Sequence, residues 1–153
     1  YVQDSQLSGL EASPVHSPGF TGMVKDALSH YWGGPKLSRS PLLRLNVVRG
    51  VLAANDSVPS KALRAVLHEA IGRLRPDSEP SLTASEWTVY NILDYRYQRG
   101  ERIRSVAARL AMSESDFYRK QRIAIEEVAK TLAAMEEESR RTSAEEDIAP
   151  ESA

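Results

Sequence analysis

Histidines, a helical His-Glu pair and a glycine pair followed by lysine are the residues of this 153-residue chain with the types for covalent, metal or phosphate chemistry. His68-Glu69-Ala70-Ile71-Gly72 sets a ring nitrogen beside a carboxylate as a zinc-protease helix does, but glycine stands where the second histidine is required. Gly33-Gly34-Pro35-Lys36 has the composition of a phosphate loop without its spacing or the hydroxyl after the lysine, and it reads as a turn. The absence of cysteine removes thiolate zinc sites, iron–sulfur clusters, disulfides and a cysteine nucleophile. No Gly-x-Ser-x-Gly element occurs either. The expectation is a protein that is not an enzyme and that holds no metal and no cofactor.

The remaining chemically specific residues fall between Gly100 and Leu132, and their spacing dictates what must hold them. Ile103, Val106, Ala107 and Leu110 give a short helix one apolar face. Ala111-Met112-Ser113 follows as a turn with the methionine inward, and Ser113 with Asp116 three residues on has the form of a capping box that starts a second helix. That helix is expected to bury Phe117, Ala124 and Val128 and to turn Glu114, Ser115, Tyr118, Arg119 and Arg122 outward. A short helix, a tight turn and a longer helix with a basic polar face is the pattern of a helix-turn-helix, whose second helix enters the major groove with its first residues at base edges. A plain helical hairpin that binds protein instead has the same pattern, so both readings stand at this point.

Val106-Ala107-Ala108-Arg109-Leu110-Ala111-Met112-Ser113, behind a lead helix Trp87 to Tyr97 and Gly100, resembles the helix-turn-helix of sigma-factor region four and of LuxR-type regulators, with a pattern of the kind Ile-Ala-x-x-Leu-Gly-Ile-Ser. The resemblance covers residues 84–132. Ala111 replaces the family's turn glycine, and Lys120 stands where the family buries an aliphatic. The resemblance implies a bacterial transcription regulator, or the DNA-binding module of a larger protein, acting on double-stranded DNA in the cytoplasm at the nucleoid and away from membranes. Carried over position by position, it puts Glu114, Ser115, Tyr118 and Arg119 at base edges and leaves Arg102, Arg104, Lys120 and Arg122 for phosphates. Arg119 is the best base reader, because a guanidinium bonds a guanine edge at two points. Ser115 and Tyr118 suit phosphates or thymine methyls. Glu114 either accepts from cytosine N4 or favours the positive helix N-terminus, and the second role needs no DNA.

Charge is distributed as such a partner requires. The net charge of −1 conceals a middle in which Gly100 to Ile125 sets Arg102, Arg104, Arg109, Arg119, Lys120 and Arg122 against Glu101, Glu114 and Asp116, while the end from Glu126 is strongly acidic. Charged helix faces that merely keep a small protein soluble account for the same numbers.

The elements around this segment are also expected to be helical, because alternation never persists long enough for a strand. Val24, Ala27, Leu28 and Tyr31 mark a first helix, ended by Gly33-Gly34-Pro35. Ser40-Pro41 starts a second, continuous to Ala54 through Leu42, Leu45, Val48 and Leu52. Leu63, Val66, Leu67, Ala70, Ile71 and Leu74 mark a third. Trp87, Tyr90, Leu93 and Tyr97 mark the fourth, as core residues rather than stacking platforms. The fold class is therefore an all-α helical bundle with a C-terminal helix-turn-helix. Its expected parts are a flexible lead-in (1–20), a three-helix subdomain (21–75), a linker (76–83), the helix-turn-helix subdomain (84–135) and an acidic disordered tail (136–153). Tyr1 in place of methionine, with no signal-peptide pattern after it, reads as a chain cut from something longer. No sigma-factor region two is recognisable, so residues 21–75 are expected to extend the core or to offer RNA polymerase or a second copy a surface that includes Trp32, Lys36, Arg39 and Arg44.

Overall fold

The computed structural model describes residues 14–148, and every regular element among them is helical. Helix α1 (Phe20–Ser29) buries Phe20, Val24, Ala27 and Leu28, the one face that its spacing provides. Gly33 and Gly34, at φ 139° and 109°, turn the chain in backbone conformations open to glycine, and Pro35 opens the single turn α2 (Pro35–Ser38). Helix α4 (Pro59–Arg73) buries Ala62, Leu63, Val66, Leu67, Ala70 and Ile71, as its stripe requires.

The expected second helix is broken. Ser40 Oγ accepts the Leu42 N–H at 3.1 Å and Pro41 begins as foreseen, but the turn Pro41–Arg44 is 3-10, Leu45 is extended, and a new helix α3 covers only Asn46–Arg49. Leu42, Leu45 and Val48 are all buried across the break. The break leaves the first N–H groups of α3 without a local cap, and a residue from the far end of the chain supplies one: Glu136 accepts from Asn46 N and Val47 N, at 3.0 Å each.

Helix α5 (Thr88–Ile92) follows a 3-10 turn at Ser85–Trp87 and continues as a π-helical stretch through Leu93–Gln98, ended by Gly100 at φ 70°. Helix α6 (Ile103–Arg109) and helix α7 (Glu114–Ile148) complete the chain. At 35 residues α7 is about 52 Å long. It is the axis of the fold: Phe117, Ala124, Ile125, Val128, Ala129, Leu132 and Met135 are buried along it, and α1, α3, α4 and α5 pack around it.

Three expected divisions are corrected by this packing. Leu28, Leu63 and Leu67 share one core with Ile92, Leu93, Val128 and Leu132, so residues 21–75 and 84–135 are not separate subdomains. The stretch 76–83 is stitched down rather than free, since Trp87 Nε1 donates to Ser78 Oγ at 3.0 Å and Asn91 Nδ2 to the Ser81 carbonyl at 2.8 Å. The acidic end does not fray at Met135: α7 continues to Ile148, and Glu136 is buried. Of the lead-in, Pro14–His16 forms a 3-10 turn with Pro14 buried, while residues 1–13 and 149–153 lie outside the described residues. No helix among the described residues is long and apolar enough to cross a membrane.

Candidate nucleic-acid interface

The junction of α6 and α7 follows from the local hydrogen-bonding needs of two helix ends. Val106, Ala107 and Leu110 anchor α6 in the core. Its last carbonyls are met by Met112 N to Ala107 O at 2.9 Å and Ala111 N to Ala108 O at 3.1 Å, the paired bonds of a Schellman turn. That turn requires a left-handed residue after the helix, and Ala111 takes the position at φ 59°. The turn thus forms without glycine, at a cost borne by the alanine Cβ.

Ser113 then caps α7, its Oγ accepting the Asp116 N–H at 3.1 Å and its carbonyl the Phe117 N–H at 2.9 Å. The second half of the expected capping box is spent differently. The Asp116 carboxylate turns to Arg119 and, at 3.2 Å, to Lys120, and the Lys120 and Arg119 hydrogen bonds hold its carboxyl below the usual aspartate value. With Phe117, Ala124 and Val128 fully in the core, the phase of α7 is fixed about its axis.

Glu114, Ser115, Tyr118 and Arg119, the four expected base readers, are all exposed, together with Arg122. Tyr118 is 51% exposed, with Phe117 edge-on beneath it at 6.2 Å between ring centres. Arg102 and Arg104 stand exposed at the start of α6, and Arg104 reaches Glu114 across the turn at 3.5 Å. Lys120 differs from the other expected phosphate contacts, being partly buried and committed to Asp116. Arg109 is paired with Glu101 at 3.1 Å and sets its guanidinium 4.7 Å from the Tyr95 ring centre; Arg99 lies 4.6 Å from the same ring centre.

Sequence reading missed a groove at the edge of this face. It has a volume of about 230 Å³ and is lined by Thr21, Gly22 and Lys25 of α1 and by Tyr118, Gln121, Arg122 and Ile125 of α7. The only sequence signal was the basic excess of the chain's middle, which does not say which lysine meets which arginine.

The other residues singled out from sequence lie elsewhere. His68 bonds Gln98 Oε1 through Nδ1 at 2.7 Å, and Glu69 pairs with Arg73 at 3.0 Å. Trp32 is 65% exposed, yet its Nε1 donates to the Gln98 carbonyl at 3.0 Å and Arg64 lies 5.2 Å from its ring centre. Lys36 stands 4.0 Å from Asp26, and Arg39 and Arg44 are exposed. Trp87 and Tyr97 are buried, and Tyr90 packs partly against the core.

No family model matches this chain, and no curated protein and no solved structure is found to be similar to it.

Proposed function

We propose that this chain is a non-catalytic DNA-binding module of a bacterial transcription regulator, and that the outward face at the start of α7 reads the major groove of duplex DNA at the nucleoid. The observation that carries the reading is the gathering of Ser115, Tyr118, Arg119 and Arg122 on one exposed face just after a capped helix start, while Phe117, Ala124 and Val128 lock the other face into the core. A reading helix needs its polar side presented and its roll fixed, and a helix about 10–12 Å across fits a groove about 12 Å wide. In this reading Arg119 and Glu114 meet base edges, Ser115 and Tyr118 meet bases or phosphates, and Arg102, Arg104 and Arg122 meet phosphates, joined by Lys120 once it leaves Asp116.

The pairing of Arg119 with Asp116 does not oppose this. The pair is solvent-screened and therefore weak, whereas a guanine edge offers the guanidinium two hydrogen bonds at once, so DNA competes for Arg119. The competing reading, a hairpin that binds protein, draws on Glu114 and Asp116, which pair with three of the bases on this surface.

Anisotropy of a labelled duplex titrated over a salt series separates the two. Four phosphate contacts give a slope of log affinity on log salt of about −3 to −4 through counterion release. A protein with no salt-dependent duplex affinity belongs to the second reading.

A further inference from the structure

We infer that the groove between α1 and α7 is a clamp for a backbone phosphate of the bound duplex, so that the interface extends beyond the α6–α7 hairpin to Lys25 on α1. The inference rests on the DNA-binding reading and deepens it. Tyr118 and Arg122 belong both to the exposed face of α7 and to this groove, so a duplex seated on that face brings its sugar-phosphate edge to α1.

The chemistry of the groove fits an anionic oxygen. No carboxylate lines it, and both walls carry a cation: Lys25, exposed on α1, and Arg122, exposed on α7. Gln121 adds a donor whose direction is set from inside the fold. The buried Tyr97 hydroxyl donates to Gln121 Oε1 at 3.1 Å, which occupies the amide oxygen and leaves the Nε2 hydrogens for a ligand. Burial pushes the Tyr97 hydroxyl up to about 12, so it keeps its proton, and hence its role as donor, throughout the neutral range. The Tyr118 and Thr21 hydroxyls complete a wall able to donate at several points, which is how phosphate contacts set the register of a protein on DNA. Gly22 keeps the α1 side low, since a Cβ added there meets nothing within 4 Å.

Inorganic phosphate offers the same oxygens as a phosphodiester, so the experiment has to separate the two sources. Duplex affinity is measured by anisotropy across a salt series for the full chain and for Lys25→Gln, Gly22→Glu and, as a control away from the groove, Lys130→Gln. The same four proteins are titrated with inorganic phosphate by calorimetry. Lys25→Gln is expected to lower the salt slope by about 0.9, the value for one lost phosphate contact on B-form DNA. Gly22→Glu, which adds a negative charge where a Cβ has open space, is expected to weaken duplex binding at least as much without loss of helix content, and Lys130→Gln to change neither quantity. Wild-type slope and affinity in both groove variants, in a protein that does bind duplex, overturn the clamp and leave the α7 reading intact. Phosphate binding lost in Lys25→Gln while duplex binding is unchanged assigns the groove to a free anion and also overturns the clamp. A wild-type protein without salt-dependent duplex binding removes the DNA reading and the clamp together.

Discussion

Glu136 caps the helix that begins at Asn46, its two carboxylate oxygens accepting the N–H groups of Asn46 and Val47 at 3.0 Å each from 90 and 89 residues away. Arg140 Nε, at 3.1 Å, closes the charge from one helical turn on. Removing the side chain strands two backbone donors in a site where Glu136 is only 3% exposed. Glu136→Ala is therefore expected to cost about 3 kcal/mol, from loss of hydrogen bonds to a charged group and the unmet donors left behind. Urea denaturation checks this, and an unchanged midpoint would mean that α3 is capped from elsewhere.

The turn between α6 and α7 carries two opposite expectations. Ala111 holds a left-handed φ of 59°, so Ala111→Gly is expected to stabilise the fold by about 0.5–1 kcal/mol, the relief at Cβ exceeding glycine's greater unfolded entropy. Ser113→Ala removes the cap on Asp116 N and is expected to cost about 1 kcal/mol. Thermal melts of the two variants should move in opposite directions.

Much of this architecture is legible in sequence where one helix buries one continuous face. Val24, Ala27 and Leu28 of α1, the Leu63–Ile71 stripe of α4, and Phe117, Ala124 and Val128 of α7 all sit where their spacing puts them. The break at Leu45 is not legible, because Leu42, Leu45 and Val48 keep a helical spacing while the cap that makes the break tolerable comes from Glu136. Glu136 in turn is hidden within Glu136-Glu137-Glu138, a run whose composition describes a solvated tail and whose first member alone faces the core. Periodicity also gives the outward face of α7 but not its neighbour. Lys25 and Arg122 are brought to one groove by the docking of α1 on α7, a relation between two faces that no local pattern encodes.

Asp116 is expected to restrain the interface. Its hydrogen bonds to Lys120 and Arg119 depress its carboxyl in the folded state, so its contribution to stability is present above the unfolded aspartate value and lost as pH falls through the lower folded one. A carbon-detected NMR titration should place the Asp116 midpoint below the ordinary 3.8. Asp116→Asn keeps the backbone N–H that Ser113 caps while releasing Arg119 and Lys120, and duplex affinity near neutral pH should rise; a fall would show that Asp116 orders these bases for DNA rather than competing with it.

Tyr97 sets an alkaline limit. Its folded value lies near 12 against an ordinary 10, because burial disfavours the phenolate. The unfolded chain ionises first, so stability is whole below the unfolded value and falls between about pH 10 and 12, by roughly 2–3 kcal/mol for this group. Stability curves of wild type and Tyr97→Phe should diverge in that window, with the variant the flatter of the two.

The central claim, that α7 reads bases, is tested most directly by the specificity ratio of Arg119→Ala. A duplex selected from a random pool by the wild-type protein and a scrambled duplex of equal length are bound by wild type, by Arg119→Ala and by Arg104→Ala at one salt concentration. Arg119→Ala is expected to lose about 1–3 kcal/mol on the selected duplex only and to relax preference at a single base pair. Arg104→Ala, as a phosphate contact, is expected to weaken both duplexes alike. Equal weakening of both duplexes by Arg119→Ala would contradict base reading by this face, and the α7 surface would then be an electrostatic contact at most.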